Sequence, residues 1–156
     1  MPDYTTLPQK IEAAFAAYLL SVRTSMDLSG VQVITAQQSA AAVDSPRIVI
    51  QTMSMSPRDT ALPGVMDAVV NISYISDFEN TAETHKTAAA KLTSWLCDTA
   101  AIKTALNVAV PDTRTVTGFH IYFLQVAGFE MIADPDRAQH QTTAMLNVCC
   151  MGMDLG

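Results

Sequence analysis

Segments with the alternation of β-strands fall into two blocks, one on each side of a single helical stretch, and another helical pattern precedes both. Strands grouped in this way, rather than alternating singly with helices, point to an α+β fold and away from a doubly wound sheet. The expected architecture is a mostly antiparallel sheet of five or six strands, packed by an N-terminal helix and a central helix pair. No repeat, linker or low-complexity block divides the chain, so residues 1–156 read as one domain.

The N-terminal helix is the clearest element. Thr5 or Thr6 can cap it and Pro8 suits its first turn. Ile11, Phe15, Tyr18, Leu19, Val22 and Met26 then recur at three- and four-residue spacing, with Lys10, Glu12, Ser21 and Arg23 off the stripe, until Ser29-Gly30 ends it. Val31, Val33 and Ile34 suggest a first strand, and Arg47 to Thr52 a second by β-branched content. Residues 53–64, with Ser54, Ser56, Pro57, Pro63 and Gly64, read as a long exposed loop. Val65 to Ser76 forms a third strand with Ala68, Val70, Ile72 and Tyr74 on one face.

Asn80 or Thr81 can cap the central helix, whose inward stripe is Ala88, Ala89, Leu92, Trp95 and Leu96. Asp98 restarts a short helix through Ile102 and Leu106. A fourth strand, Arg114 to Val126, is expected to carry Phe119, Ile121 and Phe123 on one face and His120, Tyr122 and Leu124 on the other. Gly128 allows a bend before a short continuation, Phe129 to Ala133. Asp134-Pro135-Asp136 marks a turn, and Gln141 to Met151 a last strand with Ala144, Leu146, Val148 and Cys150 inward.

Chemistry-bearing patterns are scarce. His85, His120 and His140 share no HExxH spacing, and no CxxC occurs. Asp134, Asp136 and His140 could gather near Glu130, but an acidic turn followed by a strand explains them without a metal. There is no GxSxG elbow, and the six glycines never take phosphate-loop spacing. Cys97 beside Asp98 lacks a setting that would activate a thiol, and reduced, buried cysteines in a cytoplasmic product are expected. No catalytic residue, cofactor or metal is assigned. A formal charge of −6 with nine scattered Lys and Arg gives no footprint for nucleic acid or anionic membranes. The start of the chain lacks the pattern of a signal peptide, and no stretch is long enough to span a bilayer.

Surface composition says more. Only 15% of residues are charged, against about 25% in soluble proteins generally, while 49% are hydrophobic. The strand faces opposite the core still hold Val69, Ile75, Tyr122, Leu124 and Met145. Either helices cover both sides of the sheet or a neighbouring subunit covers one. Met53, Met55 and Met66 flank the long loop, where flexible thioethers suit adaptable contacts. Interface candidates are Met53, Met55, Arg58, Asp59, Tyr122, Leu124, Asp134, Asp136 and Arg137.

The order of elements resembles the tail-terminator and tail-completion proteins of long-tailed bacteriophages, over nearly the whole chain. It rests on the loop-bearing hairpin Arg47 to Ser76, the run Val69, Asn71-Ile72-Ser73-Tyr74-Ile75-Ser76-Asp77, the His85 helix ending Trp95-Leu96-Cys97-Asp98, and Leu106-Asn107 before the next strand. The resemblance implies a non-enzymatic virion protein, assembled in the host cytoplasm. Its copies would form a ring, commonly a hexamer, at the head-proximal end of the tail tube. Implied partners are further copies, the tube protein and a neck or connector protein, with DNA only passing through the lumen. A connector or stopper, a tube subunit, or a small α+β enzyme or binding module around His120 and Tyr122 are the competing readings.

Overall fold

Leu7, Ile11, Phe15 and Leu19 of helix α1 (Leu7–Val22) are wholly buried, as the three- and four-residue spacing requires. The computed structural model describes residues 7–35, 46–58, 65–78, 81–107 and 119–152, so the expected cap at Thr5 or Thr6 lies outside the described residues. Glu12, expected off the stripe, is buried, because α1 packs against strands and α3 together and so buries a wider band. The helix ends at Val22, before Ser29-Gly30. A turn follows in which Asp27 takes a left-handed φ of 58°, the Arg23 guanidinium donates to Val31 O at 3.1 Å, and Met26 and Leu28 are buried.

Strands β1 (Gln32–Thr35), β2 (Arg47–Pro57), β3 (Val65–Asp77), β4 (Phe119–Asp134) and β5 (Gln139–Gly152) form one sheet in the order β1-β2-β3-β5-β4. Among the described strands only β1 and β2 run parallel, so the sheet is mostly antiparallel as expected. Residues 53–57 correct the expected loop: β2 continues to Pro57 past an irregularity at Met53, because Ser54, Met55 and Ser56 pair with Val69, Ala68 and Asp67. Asp59 to Gly64 lie outside the described residues.

Helix α2 (Ala82–Cys97) starts at Thr81, whose hydroxyl accepts from Thr84 N at 3.1 Å. Asp98 then caps α3 (Thr99–Leu106) by accepting from Ala101 N. Trp95 and Ala88 are half-buried rather than enclosed, while Ala89, Leu92 and Leu96 are buried as expected. Asn107 closes the helical segment by bonding both backbone groups of Ile121, at 2.7 and 2.8 Å. The three helices share a single core with Ile48, Ile50, Ala68, Val70, Ile72, Leu146 and Val148. Among the described residues they cover one face of the sheet, not both.

The β4–β5 turn holds a second left-handed residue, Ala138, at φ 52°. A methyl group at this φ costs about 1–2 kcal/mol in an L-residue, and glycine relieves it at some cost in unfolded-chain entropy. Ala138→Gly is therefore expected to stabilise the fold by about 1 kcal/mol, read as a higher urea midpoint at unchanged slope. A lower midpoint would contradict this reading of the turn.

Candidate functional site

Five of the eight large hydrophobics exposed among the described residues belong to β4: Tyr122, Phe123, Phe129, Met131 and Ile132. They concentrate there because β4 is the outermost strand, with β5 on its inner side and no described strand beyond. Two bulges set which way its side chains face. Ile121 pairs with Cys150 and Phe123 with Cys149, so Tyr122 is an extra residue and the alternation flips. It flips again at Ala127, between Val126 and Gly128. Ile121, Leu124 and Val126 therefore face the helices, and Phe129 and Met131 return to that side beyond the second bulge, opposite Ala144 and Thr142.

Leu124 is consequently corrected as an interface candidate: it is buried, and Phe123, expected to share the inward face of Ile121, is 50% exposed. Tyr122 is exposed and meets the His120 ring edge-on at 4.9 Å between centroids. Met53 is exposed at the β2 irregularity, and Met55 is half-buried against the core. Arg58 is exposed and lies 3.7 Å from Asp67. Asp59 lies outside the described residues. Asp134 Oδ1 accepts from the backbone N–H groups of Asp136 and Arg137, and the Arg137 side chain lies 3.8 Å from the Asp134 carboxylate. The candidates thus occupy three places, the free half of β2, the outer edge of β4 and the β4–β5 turn, rather than one site.

A buried polar cluster, which spacing did not reveal, ties α2 to the sheet. His85 is 3% exposed, with Nδ1 2.6 Å from Ser76 Oγ and Nε2 2.9 Å from Thr142 Oγ1. Tyr74 and His140 flank its ring. The Ser76–His85 contact has the atoms of a nucleophile and a base, but Ser76 is 1% exposed, enclosed with His85 between α2 and the sheet. Both imidazole nitrogens are satisfied by hydroxyls, which makes the cluster a structural tie. Beside it a cavity of about 370 Å³ is lined by Ala82, His85, Lys86, Met131, Ile132 and His140. Among the described residues no set of three His, Cys, Asp or Glu is placed to hold a metal, and no helix is long and apolar enough to cross a membrane. Cys149 and Cys150 are buried, with burial pushing the Cys150 thiol up to about 12, whereas Cys97 is exposed at the end of α2, against expectation.

No protein-family model matches the sequence, and no curated protein matches it. Among solved structures, a chain of the "Virion of native gene transfer agent (GTA) particle" is similar at 17% identity, covering 89% of this chain and 94% of that one, with a TM-score of 0.48. Two structures from Akkermansia muciniphila, one solved without its transmembrane region, each cover 100% of this chain at 10% and 11% identity. They cover 90% and 83% of their own chains, with TM-scores of 0.34 and 0.33.

Burial, then the neighbouring His140, lowers the pKa of His85. A depressed histidine resists protonation in the folded state while the unfolded chain takes up a proton at about pH 6.5. Its contribution is therefore complete above that pH and lost as the pH falls below it toward the folded value. The urea midpoint should drop between pH 7.5 and 5.5, and His85→Asn should flatten the drop while lowering stability at pH 7.5. An undiminished drop in the variant would show that another group controls it.

Proposed function

We propose that this chain is a structural virion protein whose copies form a ring at the head-proximal end of a phage tail tube. The ring stops polymerisation of the tube and joins it to the neck. The observation that carries this reading is the apolar edge of β4. A long outer strand with five large exposed hydrophobics and no lysine along it offers another chain apolar surface, even with two bulges interrupting its backbone edge. The order of elements, which resembles tail-terminator and tail-completion proteins, supplies the location. The sparse charge supports burial of part of the surface in an assembly.

Such a role requires no catalysis. It requires a contact between copies whose rotation closes, and separate surfaces for the tube protein and the neck protein. A net charge of −6 suits a lumen through which DNA slides without being held. The proposed hexamer, its partners and its place in the virion all belong to this reading.

Light scattering and negative-stain imaging of the purified chain test it. A single closed ring of fixed mass is expected across concentrations. Open tubes of growing length would make the chain a tube subunit. A concentration-independent monomer would remove the ring and return weight to a small enzyme or binding module.

A further inference from the structure

Among the described residues the two edges of the sheet are unlike. One is β4, with Tyr122, Phe123, Phe129, Met131 and Ile132 exposed. The other is formed by the short edge strand β1 and, where β1 ends, by the second half of β2: β1 pairs only with Arg47 to Ile50, so Gln51 to Pro57 have no described strand on their outer side. There Met53 is 53% exposed, Ser54 and Ser56 are exposed, and Met55 is half-buried. These borders lie at opposite ends of the strand order, so one molecule cannot bring them together.

We propose that a second copy of this chain seats the Gln51–Pro57 border of its β2 against the β4 border of the first, so that copies associate head to tail. This rests on the ring reading and names the two surfaces that close it. Strand direction fits. β2 and β5 run the same way and β4 runs opposite to both, so a neighbour added in the plane of the sheet meets β4 as an antiparallel strand. The chemistry fits as well: half-exposed aromatic, thioether and aliphatic side chains, in two groups along one border, face small hydroxyls and the exposed Met53 on the other, with no like charges opposed.

Apolar area supports a contact. Phe129, Met131 and Ile132 fall within the roughly seven residues of β4 that Gln51–Pro57 can span, and Tyr122 and Phe123 extend the apolar surface beside them. The three aromatics alone, at roughly 150–250 Å² each and about half open, supply roughly 300 Å², a substantial part of the about 800 Å² that a stable contact buries on each partner. Unlike borders favour this head-to-tail arrangement over a twofold dimer, which would set β4 against β4 and leave the β2 border bare.

Mixing two charge variants tests the proposal. One carries Phe123→Lys and Met131→Lys on the β4 border; the other carries Met53→Lys and Ser56→Lys on the β2 border. All four residues are exposed, so both variants should keep the wild-type circular dichroism and melting transition, which are measured first. Each alone should associate roughly a hundredfold more weakly than wild type, the loss expected when a central apolar anchor is replaced by charge. Mixed in equal amounts they retain one intact pair of borders, and mass photometry should find a heterodimer that grows no further. If wild type assembles and the β4 variant assembles equally well, the proposal is overturned and the ring reading stands. If the β2 variant alone dimerises while the β4 variant does not, the contact is twofold and the head-to-tail arrangement is wrong. A wild-type chain that remains monomeric throughout overturns the ring reading and this inference together.

Discussion

The pairing of β5 with β3 organises the molecule. Thirteen consecutive partners, from Val65↔Met151 to Asp77↔Gln139, bring Ala68, Val70 and Ile72 beside Val148, Leu146 and Ala144 on the covered face. On the other face the same register places Ser73 Oγ 2.8 Å from Thr143 Oγ1. It also sets Ser76 and Thr142 where His85 can bond both, which anchors the N-terminal half of α2. Because β5 arrives last in the chain and takes the place between β3 and β4, β4 is left outermost. The exposed border follows from that topology.

Bulges then decide what the border displays. An unbroken alternation would turn Phe123 inward and Leu124 outward; the extra residue at Tyr122 reverses them. The second bulge, at Ala127, returns Phe129 and Met131 to the side of Leu124 and Val126, where they stay exposed, while Asn107 at the end of α3 bonds Ile121 near the start of β4. Bulges commonly discourage edge pairing by twisting the strand. Here they also separate the exposed apolar residues into a Tyr122–Phe123 group and a Phe129–Ile132 group. A neighbour would therefore engage side chains as well as backbone.

Much of the fold was legible because its signals are local. The stripe of α1, the Thr81 and Asp98 caps, and the inward residues of β3 and β5 each follow from periodicity or capping within a few positions. What was not legible depends on partners distant in sequence. Met53 to Pro57 carry loop-like serines and a proline, yet pairing with β3 holds them in a strand. The inversion at Tyr122 is invisible to a count of alternate residues. The His85 cluster joins residues 9 and 57 positions apart, which no motif spacing reports. The run Phe129 to Ile132 carries a local signal, since Phe129 and Met131 on one face and Ile132 on the other leave Glu130 as its only polar residue.

Low charge, a sheet that the described helices cover on one face, and an apolar outer strand are the features on which we propose that copies of this chain complete its surface. Amide hydrogen exchange along β4 at low and at high protein concentration tests that most directly. If a neighbour seats on the border, exchange between Phe129 and Ala133 slows markedly on concentration, while the amides of β3, already enclosed between β2 and β5, change little. Exchange in β4 that is fast and identical at both concentrations would contradict it.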